Sequence, residues 1–187
     1  MSRNPDTSVL LIVDPQIDFI SGTLPVPGAA KAMDALAEHI RTLSKDNYSR
    51  IIVTSDFHSH KHCSFEPNGG PWPVHCLQHS AGAAIYQPLL EALCACELEF
   101  EVLYKGTLDD REEYSIMQNA FSGDYLGSLI ESGEIQSIDL CGLAGDVCVL
   151  NTAKDLQAVM HGGLRVLEEY SPSLDGGKAL SEFVASL

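Results

Sequence analysis

Five short apolar runs alternate along the chain with segments whose apolar residues recur at helical spacing. The runs are rich in leucine or β-branched residues and are too short for helices, so they predict strands at residues 9–14, 50–56, 100–106, 137–143 and 164–169. The helical spacing predicts helices at residues 29–43, 125–132, 147–161 and 177–187. Strands that alternate with helices form right-handed βαβ units. We therefore expect a three-layer α/β/α sandwich, an open and mostly parallel sheet with helices on both faces.

The third run differs from the others because apolar and acidic residues alternate through it. Leu98, Phe100 and Val102 are interleaved with glutamates, which predicts a strand with one face toward solvent. Residues 55–78 and 107–123 are long and irregular for a compact domain, and such segments are usually functional loops.

The length and composition indicate one globular domain, residues 1–187, with 45% hydrophobic and 20% charged residues. The first apolar run is short and ends at an aspartate, which is typical of a buried strand and not of a signal peptide. No run approaches the ~18–20 residues of a membrane span. We therefore expect a cytoplasmic protein whose six cysteines are thiols. The formal charge of −15 disfavours nucleic acid and anionic membranes as partners and suits a small neutral or cationic substrate.

Polar residues follow four successive predicted strands at their carboxyl ends. They are Asp14, the pair Asp56 and His58, Lys105, and Cys148 in the turn after the fourth strand. Ligands bind at this edge of parallel sheets, so we expect these residues to meet in one crevice. Cys148 opens a predicted helix near a lysine, a placement that favours the thiolate of a nucleophile, while Asp14 is a candidate acid–base. Taken alone, Cys148 could be a small core residue and Asp14 a turn or helix-cap residue.

Residues 55–76, "SDFHSHKHCSFEPNGGPWPVHC", hold four of the seven histidines and two of the six cysteines. Such a segment can form a zinc knuckle, a disulfide-stapled loop, or the metal half of an active site. The spacing alone does not choose among the three.

Five segments occur in a fixed order: "LLIVDPQIDFISGTLPVPGA", "TSDFHSHKHCSF", "GGPWPVHC", "YKGTLDDREEYS" and "CGLAGDVCVLNTAKD". They resemble the successive motifs of the nicotinamidases (pyrazinamidases) of the isochorismatase-like cysteine hydrolase superfamily. The match runs from about residue 9 to about residue 166, nearly the whole chain. The resemblance implies an amidohydrolase acting on a linear carboxamide. It would convert nicotinamide and water to nicotinate and ammonia through a cysteine thioester, with pyrazinamide as a side substrate.

The resemblance also implies roles for individual residues in the reaction. It implies a catalytic triad of Asp14, Lys105 and Cys148. Backbone N–H groups of Ala144 and Cys148 would form the oxyanion hole, with a cis peptide between Leu143 and Ala144.

A divalent metal ion is implied at Asp56, His58 and His75, where it would bind the pyridine nitrogen of the substrate. One carboxylate and two imidazoles with open positions are a catalytic type of ligand set, for which zinc is the first choice and manganese or iron the alternatives. A structural zinc site is closed and usually rich in thiolates. The substrate ring would lie among three aromatic residues: Phe19, Trp72 and Tyr114.

Two positions depart from the family pattern. Gly145 stands where threonine or serine is usual, so a hydroxyl is missing beside Cys148 and we expect a looser turn. Ser64 stands where some relatives have a further metal ligand, so we expect water to complete the metal's shell, with Ser64 holding one such water. His62 is expected to be a loop or substrate-side residue.

Other functions fit parts of the sequence. A metal-independent N-carbamoyl or ureido amidohydrolase of the same superfamily would use the triad but would not need the three metal ligands together. A structural zinc-binding module would use residues 55–76 and leave Asp14 and Lys105 without a role. Isochorismate hydrolysis is least favoured, because an acidic surface offers little to a dicarboxylate. A homo-oligomer is compatible with the sequence.

Overall fold

The computed structural model describes residues 3–160 and 162–187. Its strands are β1 Ser8–Val13, β2 Arg50–Asp56, β3 Phe100–Lys105, β4 Ser137–Gly142 and β5 Leu164–Val166. Its α-helices are α1 Ile17–Ile20, α2 Ala29–Ile40, α3 Gln87–Ala95, α4 Ala120–Glu131, α5 Leu150–Val159 and α6 Lys178–Val184. Every strand pair is parallel, and the strand order is β3-β2-β1-β4-β5. The predicted α/β fold with an open parallel sheet is confirmed.

Two apolar cores lie on the two faces of this sheet. In β1, at the centre, Leu10 and Ile12 belong to the core formed with α2 and α3. Leu11 and Val13 belong to the core formed with α4, α5 and α6. Side chains alternate between the faces of a strand, so a strand buried on both sides is apolar throughout. This explains why β1 reads as one continuous apolar run.

Several helix boundaries differ from those expected from the sequence. The helix predicted at 125–132 begins earlier, at Ala120, where the side chain of Asn119 accepts hydrogen bonds from two backbone N–H groups of the first turn. The helix predicted at 147–161 is preceded by a π-helical turn, Gly145–Val149, and its predicted last residue, 161, lies outside the described residues. The short helices α1 and α3 were not predicted.

The edge strand β3 is only partly covered. Val102 packs against the first core and Leu103 against the second, but both are half-buried and Tyr104 is 46% exposed. The alternation of apolar and acidic residues belongs mainly to the segment before the strand, where Leu98 is buried and Glu97 and Glu99 are exposed.

None of the helices within residues 3–160 and 162–187 has the length and apolar content needed to cross a bilayer. The expectation of a single domain over residues 1–187 stays a prediction.

Candidate active site

The carboxyl ends of the parallel strands bring the expected polar residues to one edge of the sheet. From β1 the chain adds β2 and β3 on one side of the sheet and then β4 and β5 on the other. The strand order thus reverses between β1 and β4, and ligands of open α/β folds bind at such a switch point. Asp14 directly follows β1, and Cys148 lies in the π-helical turn after β4. Lys105 ends β3, beyond β2. Its side chain reaches the switch point because the aliphatic stem of lysine is long.

Lys105 contacts three other polar side chains of the site. Its Nζ lies 2.8 Å from Asp14 Oδ2 and 3.6 Å from Cys148 Sγ, and it also forms an ion pair with Asp56. All four side chains are buried. Burial lowers the pKa of Lys105, but the two carboxylates outweigh that effect and hold the pKa well above its usual range. Lys105 is therefore a permanent cation at the centre of the site.

Asp14 has the properties of a base that works near neutral pH. Burial raises its pKa, and although Lys105 counteracts the shift, the result is a pKa of about 6. The hydroxyl of Thr54 donates to Asp14 Oδ1 at 2.7 Å and favours the ionised form. The φ of Asp14 is +46°, a conformation that residues other than glycine seldom adopt. Such strain is concentrated at functional positions.

The thiol of Cys148 differs from what the sequence suggests. A helix start and a nearby lysine should lower its pKa, but the structure raises the pKa well above its usual range. Burial is the largest cause, and the carboxylates of Asp14 and Asp56 oppose the effect of Lys105. The resting side chain is therefore a neutral thiol. One carboxylate oxygen of Asp14 lies within 4.8 Å of Cys148 Sγ, close enough to serve as the acceptor of its proton.

The nucleophile turn has the backbone that the resemblance implies. The peptide bond between Leu143 and Ala144 is cis, which confirms that expectation. Ala144 and Cys148 both line the pocket described below.

Asp56, His58 and His75 form a cluster in which one ligand atom of each lies within 4.8 Å of the others. The Nδ1 of His58 is bonded to the carbonyl of Gly106 at 2.7 Å, and that of His75 to the carbonyl of Pro73 at 2.7 Å. Carbonyls that fix Nδ1 in this way leave Nε2 free to bind a metal. His58 Nε2 is buried and has no hydrogen-bond partner in the described residues. The donor set and this buried nitrogen without a hydrogen-bond partner in the described residues fit a divalent metal ion.

The other candidates in residues 55–76 lie outside this cluster. Cys63 and Cys76 are free thiols, so they do not staple the loop, and no metal-compatible group found within the described residues includes either one. His60 is exposed. These positions disfavour both a disulfide-stapled loop and a closed zinc knuckle.

His62 and Ser64 form a pair beside the cluster. His62 is fully buried, its ring centroid is 4.0 Å from that of His58, and its Nδ1 is bonded to the Ser64 hydroxyl at 2.6 Å. The short contact of the Ser64 hydroxyl orients that ring. The expected contact of Ser64 with a metal-bound water stays a prediction.

A pocket opens beside Cys148. It is lined by Phe19, Leu24, Val26, Asp56, Trp72, His75, Glu112, Tyr114, Ala144, Val147, Cys148 and Leu174. All three aromatic residues expected to contact substrate are among them, and the Trp72 indole donates to the Tyr114 hydroxyl at 3.0 Å. This apolar and aromatic lining, with a few polar groups among it, suits a small organic ligand with a flat ring.

Sequence reasoning missed the aliphatic wall of this pocket and several buried polar supports. The side chain of Gln16 bonds both the N–H and the carbonyl of Asp56, each at 2.8 Å. Asp18 accepts from the N–H of Cys76 at 2.7 Å, which fixes the backbone next to His75. Glu113 accepts from the N–H of Gly106 at 2.8 Å. Gln16 and Asp18 follow β1 within one motif, and polar residues so close to a buried strand were a usable signal.

Comparison with known proteins places the chain in a family. A family model described as the isochorismatase domain matches residues 8–162. The nicotinamidase/pyrazinamidase of Mycobacterium tuberculosis is 30% identical over 183 residues, covering 95% of this chain and 91% of the relative. PnC1 from L. infantum, solved in complex with nicotinate, has a TM-score of 0.81 and 29% identity over 97% of this chain and 90% of that chain. Pyrazinamidase of Pyrococcus horikoshii, solved in complex with zinc, has a TM-score of 0.77 and 30% identity over 96% and 95%. The chain therefore belongs to the isochorismatase family, in its nicotinamidase/pyrazinamidase group.

Proposed function

We propose that this protein is an amidohydrolase that converts nicotinamide to nicotinate and ammonia and also accepts pyrazinamide. The observation that carries the proposal is one pocket lined both by Cys148 and by two members of the metal-compatible cluster, Asp56 and His75. A nucleophile and a second recognition point in one small pocket suit a ring that bears one carboxamide. The names of the relatives point to the same substrate.

In this mechanism Asp14 takes the proton of the Cys148 thiol, and the sulfur attacks the amide carbon. Lys105, 3.6 Å from the sulfur, stabilises the thiolate as it forms. The backbone N–H groups of Ala144 and Cys148 hold the oxyanion, and loss of one such donor in comparable chemistry costs about 10²–10³ in rate. Asp14 then gives its proton to the departing ammonia, and water hydrolyses the thioester to nicotinate.

Asp56, His58 and His75 would hold one divalent metal ion, with zinc as the first choice and manganese or iron as alternatives. When bound, the ion would supply a Lewis acid for the ring nitrogen of the substrate. Phe19, Trp72 and Tyr114 orient the ring and exclude water around it. The carboxylate of Asp56 is prepared for this role. Burial raises its pKa, but the Lys105 ammonium reverses the shift and holds the pKa well below its usual range, so the carboxylate is ionised.

The test is ammonia release from nicotinamide and pyrazinamide, with and without a chelator. The wild type should turn over both amides, and the chelator should suppress the reaction. Asp14→Asn, Lys105→Ala and Cys148→Ala should each remove nearly all turnover, and double variants should be little worse than single ones, because groups that act in one step are not additive. Turnover of an N-carbamoyl amino acid but not of nicotinamide, unaffected by chelator, would contradict the proposal and favour the ureido alternative.

A further inference from the structure

A segment after β5 lies directly on the turn that carries the nucleophile. We call residues 171–175 the strap. Asp146, in the nucleophile turn, accepts from the backbone N–H of Leu174 through Oδ1 and from that of Asp175 through Oδ2, each at 2.9 Å. Both oxygens of one carboxylate thus hold the strap against the turn. Hydrogen bonds to an ionised group are about twice as strong as neutral ones.

Gly145 shows how closely the strap approaches. Its N–H donates to the carbonyl of Pro172 at 2.8 Å. A Cβ at position 145 would lie 2.3 Å from Ser171 O and 2.3 Å from Ser173 Oγ, distances at which the backbone would have to shift. Ser171 and Ser173 of the strap therefore occupy the space that a side chain at position 145 would fill. The expected looser turn stays a prediction.

The strap contributes one side chain to the pocket, that of Leu174. It belongs to an aliphatic wall with Leu24, Val26 and Val147. Val26 is 3% exposed and fixed in the core, whereas Leu174 is 40% exposed and lies at the solvent side of that wall. Apolar surface left in water at a pocket edge is available to a ring that enters.

We propose that Leu174 is a specificity-determining residue that Asp146 holds in place. Its side chain limits the size of the groups that can reach Cys148 beside an aromatic ring. The pocket then accepts flat six-membered rings with a bare edge toward Leu174 and rejects rings with a bulky substituent there. The identification of the ring with that of nicotinamide rests on the proposed function, whereas the size limit set by Leu174 does not.

The test uses alkylation of Cys148, which requires access but no hydrolysis. Wild type and Leu174→Ala are treated with iodoacetamide and with N-phenyl iodoacetamide, and the Cys148 peptide is quantified by mass spectrometry. A single extra or missing methylene group in an apolar pocket changes discrimination by about 10–200-fold. Leu174→Ala should therefore react at least ~10-fold faster with the phenyl reagent. Its rate with iodoacetamide should stay near that of the wild type.

Leu90→Ala is the matched control, because Leu90 is 36% exposed on α3 and lies outside the pocket. Asp146→Asn and Asp146→Ala should shift the ratio of the two rates as Leu174→Ala does, whereas Asp124→Ala, an exposed aspartate on α4, should leave the ratio unchanged. An unaltered iodoacetamide rate shows that the nucleophile turn is intact in each variant.

Equal ratios in Leu174→Ala and Leu90→Ala would overturn the proposal. In hydrolysis assays, Leu174→Ala should raise the KM for nicotinamide, leave kcat little changed, and permit turnover of a ring-substituted nicotinamide that the wild type rejects. If the alkylation ratios change as expected while the wild type releases no ammonia from nicotinamide, the proposed function fails and the size limit stands.

Discussion

The activity should fall at acidic pH in a way that identifies Asp14 as the base. In the proposed mechanism deprotonated Asp14 accepts the thiol proton, so protonation of Asp14 would remove the base. Burial raises its pKa to about 6, against a usual value of 3.8. The acidic limb of kcat/KM for nicotinamide, which reports groups of the free enzyme, should therefore be centred near pH 6.

The size of the effect follows from that pKa. With a pKa of about 6, about 10% of Asp14 is ionised at pH 5 and about 90% at pH 7. The expected loss in kcat/KM between these two pH values is about tenfold. A carboxyl with the usual pKa would be almost fully ionised at both, so its activity would be nearly constant over the same range.

Thr54→Val should raise the pH at which this acidic limb is centred. The Thr54 hydroxyl donates to Asp14 Oδ1 at 2.7 Å and stabilises the ionised form, whereas valine has the same shape without the donor. A hydrogen bond that favours the charged form by about 1.4 kcal/mol corresponds to one pKa unit. The limb should move up by about one unit, to near pH 7. The variant should then have about one tenth of its plateau activity at pH 6.

The control is Thr152→Val, a second buried threonine, whose hydroxyl has no hydrogen-bond partner among the described residues. It should leave the limb in place. The assay is initial-rate ammonia release from pH 4.5 to 9, with circular dichroism at each pH to establish that the fold persists. A profile that stays flat below pH 6 in folded protein, or a limb that both valine variants move equally, would refute the assignment of Asp14.

Two further predictions concern the metal cluster and the nucleophile turn. His75→Ala should weaken metal binding by more than ~100-fold, since loss of even an outer partner of such a ligand costs about 10–100-fold. His60→Ala, which changes an exposed histidine, should keep about one metal ion per chain by elemental analysis. Equal metal content in the two variants would exclude the cluster as the metal site. Gly145→Ala should destabilise the protein by about 1–3 kcal/mol in urea unfolding, because its Cβ would meet the strap at 2.3 Å. Gly127→Ala in α4, where the atom nearest to the new Cβ would be 4.0 Å away, should instead stabilise the protein by about 0.5–1 kcal/mol. A change of the same sign in the unfolding free energy of both variants would contradict the clash at position 145.

The sequence predicted those parts of the molecule that periodicity and chemistry encode. The strand β1 was readable because a strand covered on both faces is a continuous apolar run. The helix α1 was not, because it spans only four residues, about one turn, too few for a helical period to emerge. The nine-residue α3 was also missed, although the shorter α6 was predicted. The meeting of Asp14 and Cys148 could be expected from parallel topology, since both follow strands at the same edge of the sheet.

Other parts of the site depend on packing that no pattern reveals. Leu24, Val26 and Leu174 line the pocket from loops, and an aliphatic loop residue has no chemical signature in a sequence. The pKa of Cys148 was expected to fall because its lysine neighbour was visible in the sequence. Its depth of burial, which dominates the shift, was not visible.

The contact of Lys105 with Asp14 and Cys148 has a consequence for how the protein folds. Each of the three groups comes from a different strand end, and Lys105 and Cys148 are 43 positions apart in the chain. No local segment can assemble this site in advance, and contacts between distant segments form late because closing long loops costs entropy. Catalytic competence therefore appears only after β1 has paired with β2 and β4 and after β3 has joined the edge of the sheet. Ammonia release during refolding is thus a readout of completed topology, which helix content alone does not report.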